Sequence, residues 1–542
     1  MRQTLLLALA SFFLFGCTQT KQADLVIHNA IIYTLDDAFS TAEAIAIKDG
    51  KVAEVGAEHQ ILNAYAAKEK VDARQAVVFP GWIDAHSHFL GYALQQDRVD
   101  LIGAASYDEV VQRIQAYIES HDSKWVLGRG WDHNDWEQKE FPTNDTLNKL
   151  FPNHFIALKR VDGHAILVTD NVLELAEIDA STIISGGKVL MKDDQPTGVL
   201  IDAAADAIDE IIPDQELSTK ANAMINAQAS LFEHGLTSVC DAGLKTNEVA
   251  LIDSLHRSGD LKVRVYAMYS ASKELMTNMI SYEIMTDKLT ARSIKVYADG
   301  ALGSRGARLL EPYADDTNNL GLVITPQDSV SQWAEACYKA NFQLNVHCIG
   351  DGANRMVLDA MGQVLNGTND RRWRIEHAQV VHPEDREKFG RFNILPSMQP
   401  THTTSDMYWA EERLGDHRIH YAYCLRSLMK ENGLIPLGTD FPVEGIDPLA
   451  TFYAATARKD AEGYPPGGFG PEESLSREEA MRGMTIWAAL AKFEEETRGS
   501  LEPGKFADLV MVNRDLISCE ESEILETEVL KTWLGGELVY EK

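Results

Sequence analysis

Eight short β-rich runs alternate with helical stretches along this chain, and that alternation constrains the fold more than any other feature. The runs are VVFPGWIDAHSH (77–88), LTSVCDAG (236–243), KVRVYAMY (262–269), SIKVYADG (293–300), FQLNVHC (342–348), RWRIEHA (372–378), NILPSM (393–398) and LIPLGTD (434–440). Strand and helix in alternation, eight times over, is the count of a (β/α)8 TIM barrel, in which parallel strands close on themselves and helices cover the outside. The gap between the first two runs is far longer than one crossover, so residues about 95–230 are expected to hold an insertion that caps the barrel mouth. Outside the barrel, Ala23 to Gly56 alternates in strand fashion around an Asp49-Gly50 turn. GSLEPGKFADLVMVNRD and ETEVLKTWLGGELVYEK read the same way near the C-terminus. The expected class is therefore α/β: a barrel with an insertion after its first strand, plus a small β-sandwich formed by the N- and C-terminal segments. The expected boundaries are 17–78 and 495–542 for the small domain, 79–450 for the barrel, and 451–494 for the last barrel helices and loop.

In such a barrel the strand interiors are apolar packing, whereas chemistry gathers at the C-terminal strand ends. The polar tails of the runs are therefore the informative residues. The first ends in Asp84-Ala85-His86-Ser87-His88, and histidines at i and i+2 of a strand point to one side, where they can grip one ion together. The fourth carries Lys295 between Ile294 and Val296, the fifth ends at His347, the sixth at His377 and the eighth at Asp440. Each has an ordinary structural reading when taken singly: a hydrogen-bonded core histidine, a lysine that snorkels to the surface, an aspartate that caps the next helix. Together those readings require four histidines, a lysine and an aspartate to meet by accident at one end of five strands, against the cost of burying unpaired ionisable groups.

These residues resemble the metal-dependent amidohydrolase superfamily. The wording FPGWIDAHSHFLG, IKVYADGALGSRGA, LNVHCIGDGANR, RIEHAQ, LGTDFPVEGIDPL and GSLEPGKFADLVMV is similar to its YtcJ-like branch, amidohydrolase family 3. The resemblance implies one or two divalent metal ions, with zinc the best match to imidazole and carboxylate ligands. It implies that His86, His88 and Asp440 hold one ion and His347 and His377 the other, with Lys295 bridging them as an N-carboxylated lysine; an unmodified Lys295 would leave one ion. The implied activity is hydrolysis of a C–N bond in an amide, an N-acyl or N-formyl amine, or a cyclic amide, by a metal-activated hydroxide with Asp440 as general base and acid. Ester hydrolysis, ring deamination, or a non-catalytic metal- or ligand-binding lipoprotein are the alternatives. Trp131, His164, Asp299 and Arg305 match stretches typical of the branch and are the candidate substrate contacts, with Trp131 as ordinary core and Arg305 as a loop clasp the competing readings.

The first residues read as an address. Arg2 precedes an apolar run from Leu5 to Phe15 that is too short to span a bilayer, so residues 1–16 are expected to be a signal peptide. Leu14-Phe15-Gly16-Cys17 resembles a bacterial lipobox, which implies lipidation at Cys17 and an extracytoplasmic enzyme anchored to a membrane of the cell envelope. Six cysteines without close pairing do not make a disulfide framework. With 82 Asp and Glu against 50 Lys and Arg, a net charge of −32, the chain lacks the basic face that nucleic-acid binding needs. Its expected partners are a small-molecule substrate and, by default for such enzymes, a second copy in a homodimer.

Overall fold

The computed structural model describes residues 20–95, 98–121 and 123–542. Its centre is a parallel barrel of seven strands in sequence order: β1 (Trp82–Ser87), β2 (Leu236–Leu244), β3 (Arg264–Ser270), β4 (Leu289–Tyr297), β5 (Gln343–Cys348), β6 (Arg374–His377) and β7 (Leu395–Ser397). The eighth run closes the ring without becoming a regular strand. On one side Met398 N donates to Pro436 O (3.2 Å) and Gly438 N to Met398 O (3.1 Å). On the other, Ala85 N donates to Leu437 O (3.1 Å) and Asp440 N to His86 O (2.8 Å). Pro436 has no N–H to offer, and Asp440 leaves the extended region at φ +66°, so the ladder stops short there. Helices such as Thr246–Ser258, Gln327–Ala340 and Asp351–Leu365 cover the outside and bury Val249, Ile252, Val330, Val357 and Leu358 against the strands. Among the described residues no helix is long and apolar enough to cross a membrane.

The first β-rich run divides between two sheets. Val77–Pro80 lies between Ile31–Tyr33 and Leu509–Val512 in the terminal domain, while Trp82–Ser87 enters the barrel beside β2. The break falls at Pro80-Gly81, where the chain crosses tightly against β2: a Cβ on Gly81 would stand 2.3 Å from Thr237 Cγ2. Periodicity alone could not reveal this, because both halves are apolar and extended. The terminal segments form two sheets. One is N-terminal throughout; the other sets Leu509–Val512, Val529–Leu534 and Glu537–Glu541 beside three N-terminal strands, joined where Leu509–Val512 pairs with Val77–Pro80. Leu25, Ile27 and Ile47 of the first meet Ile32, Val78, Leu509 and Trp533 of the second in a sandwich core.

Between β1 and β2 the inserted chain folds into a mixed six-stranded sheet spanning Val99 to Asp202, with an apolar cluster on each face. Helix Leu217–Glu233, inside the range expected for the insertion, belongs instead to the barrel wall, since Met224, Leu231 and Phe232 join the barrel's own core.

The crossing at Gly81 yields a stability prediction. Gly81→Val should destabilise the protein by about 1–3 kcal/mol through overpacking against Thr237. The check is the urea midpoint at constant m-value; an unchanged midpoint would show that the junction is looser than described.

Candidate functional site

The barrel brings His86, His88, Lys295, His347, His377 and Asp440 together at the C-terminal ends of its strands. Backbone and side-chain oxygens fix the rings. His86 Nδ1 lies 2.6 Å from Glu376 Oε2, and His88 Nδ1 is 2.9 Å from Ala242 O. His377 Nδ1 is 2.8 Å from Gln399 Oε1, whose amide is oriented by donating Nε2–H to Ser397 O at 3.1 Å. A carbonyl or carboxylate oxygen only accepts, so each Nδ1 carries the proton and each Nε2 keeps its lone pair. Burial pushes the His86 imidazole down to about 4, with the nearby Lys295 charge adding to the effect. Burial likewise holds His347 and His377 well below the usual histidine range. All three rings are neutral at pH 7, as metal ligands must be.

Asp440 stands at the focus of these rings. Its Oδ1 is 3.5 Å from His86 Nε2 and 3.3 Å from His88 Nε2, and its Oδ2 is 3.1 Å from His402 Nε2. Burial alone would push its carboxyl up; the hydrogen bond from His402, together with the weaker effects of His88, His86 and His377, outweighs that and holds it well below the usual range. The carboxylates of Asp440 and Glu444 in turn outweigh burial at His402 and hold that imidazole well above the usual histidine range. Ligand atoms of His86, His88 and Asp440 lie within 4.8 Å of one another, as do those of His377, His402 and Asp440. Asp440 Oδ1 and His347 Nε2 are buried without a hydrogen-bond partner, at a cost of about 1–3 kcal/mol each. His377 and Asp440 also hold left-handed backbone conformations, φ +72° and +66°, which non-glycine residues adopt at a cost. Unpaired acceptors and stored strain at one spot fit a divalent ion held by this donor set. Lys295 is 1% exposed, with Nζ 3.5 Å from His86 Nε2 and 4.8 Å from the centre of the Tyr297 ring; burial lowers its pKa to about 8.

Beneath the histidines lies a buried ion pair. Arg374 Nε is 2.7 Å from Glu376 Oε1, and Nη2 donates to Ala85 O (2.5 Å) and Ser397 Oγ (2.8 Å), so one guanidinium ties β1, β6 and β7 together. Asp84 joins β1 to the eighth segment by accepting from Thr439 Oγ1 at 2.7 Å.

Above the histidines opens a cavity of about 810 Å³, walled by the barrel mouth and the inserted sheet. His164 lines it, with Nδ1 2.8 Å from Asp202 Oδ1 and its ring 4.9 Å from that of His347. The other three expected substrate contacts do not line it. Trp131 is core of the insertion, its Nε1–H donated to Leu158 O at 2.8 Å. Asp299 is fully buried and accepts from the backbone N–H groups of Ile349, Gly350 and Arg308, so it shapes the loop after β5. Arg305 turns away to pair with Asp315 at 2.8 Å. The glycine-rich stretch around Arg305 instead makes room for Asp202, whose Oδ1 would lie 2.3 Å from a Cβ on Gly300. Cys348 is fully buried with its thiol pushed up by burial, and the five described cysteines are free; Cys17 and the expected signal peptide lie outside the described residues. Two residues escape a reading of the sequence: Glu376 one residue before His377, and Arg129 on the inserted strand Trp125–Trp131. His402, on the short helix Thr401–Asp406, lies just past a strand end and reads from sequence as a surface or supporting residue outside the ligand pattern; the structure places its Nε2 3.1 Å from Asp440 Oδ2.

The amidohydrolase family model matches residues 69–540. The putative amidohydrolase YtcJ of Bacillus subtilis is 29% identical over 95% of this chain and 99% of its own length. The N-substituted formamide deformylase of Arthrobacter pascens is 26% identical over 96% of this chain and 99% of its own. Among solved structures, an uncharacterized metal-dependent hydrolase from Pyrococcus horikoshii superposes with a TM-score of 0.74 at 25% identity, covering 92% of this chain and 99% of that one.

The ion pair below the site sets a testable expectation. Glu376→Gln leaves Arg374 buried and uncompensated, so the protein should lose about 3–5 kcal/mol of stability. The Glu376 carboxyl is held well below its usual range: burial raises it, but Arg374 and His86 outweigh burial. A depressed pKa contributes stability that is present at neutral pH and drains away as pH falls below about 4.5, so the variant should also show a flatter acid-unfolding profile. Equal stability and an equal acid profile in denaturant titrations would contradict this role.

Proposed function

The chain belongs to the amidohydrolase family, and on that premise we propose that it is a metal-dependent hydrolase of C–N bonds whose substrate is an amide, an N-acyl or N-formyl amine, or a cyclic amide. The observation that carries the reading is Asp440: a buried carboxylate encircled by the imidazoles of His86, His88, His377 and His402, with one oxygen left without a hydrogen bond. His86, His88 and Asp440 would hold one divalent ion, preferably zinc, and His347 and His377 would hold a second, with His402 hydrogen-bonded to Asp440 beside them. When bound, such ions supply Lewis acidity, which lowers the pKa of water and polarises a carbonyl.

The protein's own groups do the rest. Asp440 takes a proton from the attacking water and returns it to the leaving amine, while His402 Nε2 fixes its Oδ2 at 3.1 Å. Lys295, if carboxylated on Nζ by CO2 with release of a proton, would contribute its carbamate oxygens as ligands to both ions. Carboxylation needs a neutral amine, and burial provides one by lowering the Lys295 pKa to about 8. The carbamate then adds negative charge where an ammonium would repel the ions. The deformylase relative is named for removing formyl groups from substituted formamides, which supports N-formyl amines as the first substrates to try. The lipobox-like stretch ending at Cys17 supports a lipid tether to the cell envelope as part of this proposal.

Asp440→Asn should reduce turnover of any such substrate at least about 1,000-fold while the thermal midpoint stays within a few degrees. The measurement is kcat on a panel of N-formyl and N-acyl amines and cyclic amides. A variant that retains more than a tenth of wild-type turnover would show that the proton passes elsewhere, and a panel that favours esters over all amides would overturn the C–N assignment.

A further inference from the structure

The cavity wall carries five cationic side chains: Arg129, Lys159, Arg160, Lys245 and Lys295. Three of them are matched by carboxylates. Arg160 is clasped between Asp132 and Asp162, Lys159 reaches Asp209 at 2.6 Å, and Lys245 lies 3.6 Å from Asp214. Lys295 belongs to the metal centre described above. Arg129 alone is left, and among the described residues no carboxylate forms an ion pair with it. Its one hydrogen bond is from Nη2 to the Val161 carbonyl at 2.9 Å, and its Nε is buried without a partner. Among the described residues its Nη1 makes no hydrogen bond.

This is unexpected in a chain with 82 acidic residues, where a carboxylate partner is the easiest thing to supply. Asp440 and Asp162 act on it only at a distance, and a guanidinium in a cleft without a direct carboxylate partner is costly to keep and leaves its N–H groups open to an anionic ligand. Its setting holds it ready. Arg129 stands on the inserted strand Trp125–Trp131, beside strand Phe155–Arg160, and the loop that carries His164 packs over it: a Cβ on Gly163 would sit 3.4 Å from Arg129 Nη2. The same cavity contains His164, His377 and Asp440. One compartment thus holds both the reacting centre and a free planar cation.

We propose that Arg129 anchors a carboxylate of the substrate through the unused N–H groups of Nη1 and Nη2, so that the substrates are N-acyl or N-formyl amino acids and related amide acids. The claim rests on the C–N hydrolase reading and narrows it. Paired guanidinium N–H groups match the two oxygens of a carboxylate, which fixes the substrate's orientation as well as its charge. The cavity wall also carries carboxylates, among them Asp132, Asp162 and Asp209 that pair with its other cations, so Arg129 is the point at which it can receive an anionic group. Arg305 does not serve this purpose, because Asp315 already neutralises it.

The test compares N-formyl- and N-acetyl-amino acids with their neutral carboxamides, using full-length protein reconstituted with zinc and bicarbonate. Wild type should prefer each acid over its carboxamide by about 100-fold in kcat/KM. Arg129→Gln should erase that preference, mainly through KM, and Arg129→Lys should restore part of it. Calorimetric binding of the same pairs to Asp440→Asn protein supplies a readout that needs no turnover. Equal use of acid and carboxamide by wild type, or a preference that survives Arg129→Gln, overturns the anchor and leaves the hydrolase reading standing. Arg129-dependent binding of acids without hydrolysis by wild type upholds the anchor and overturns the hydrolase reading; neither binding nor hydrolysis overturns both.

Discussion

The Arg374–Glu376 pair at the floor of the barrel is the interaction on which the rest of the site depends. Both side chains are fully buried, so each is tolerable only because the other is present. Arg374 fastens three strands through Ala85, Glu376 and Ser397, and Glu376 passes that rigidity upward by fixing the His86 ring. The ring in turn presents Nε2 toward Asp440. A site assembled from five separate stretches of chain needs such a floor, since the entropy of ordering each ligand is otherwise paid one side chain at a time. The same logic recurs at Asp84 and Thr439, which seal the barrel where its last segment is least regular.

The architecture divides labour between barrel and insertion. The barrel contributes the imidazoles, Lys295 and Asp440 from strand ends whose positions are set by the closed ladder. The inserted sheet contributes His164 and Arg129, and it walls a cavity large enough for a small molecule. Charge follows that division. Near the histidines the groups are neutral or mutually compensated, whereas the insertion brings paired cations and one that is unpaired. The acidic balance of the chain extends into the chamber, where eleven Asp and Glu side chains line the cavity against five Lys and Arg, and Arg129 stands out there as a cation without a direct ion pair among the described residues.

Much of this was legible in the sequence because strand ends in a barrel point to one place. The alternation of eight runs located the fold, and the polar tails of five of them located His86, His88, Lys295, His347, His377 and Asp440 before any coordinates. What stayed hidden has physical reasons. The run 77–88 looked like one strand because apolar alternation does not record which sheet a residue enters, and only the clearance between Gly81 and Thr237 decides it. His402 sits on a helix and joins the centre through Asp440 and Glu444, a relation that strand-end reasoning cannot express. Arg305 drew attention because it stands in a glycine-rich loop, yet Asp315 neutralises it. Arg129 drew none, because whether a cation has a partner depends on tertiary contacts and not on spacing.

The account's central claim is that the buried imidazoles and Asp440 form a divalent-metal centre. The most direct measurement is elemental analysis of the purified protein after chelation and reconstitution with zinc and bicarbonate, alongside a variant in which His86 and His88 are both alanine. The account predicts one to two equivalents of zinc in the wild type, and a loss of at least one equivalent in the variant. Less than one equivalent of any transition metal in reconstituted wild type, or an undiminished content in the variant, would contradict it.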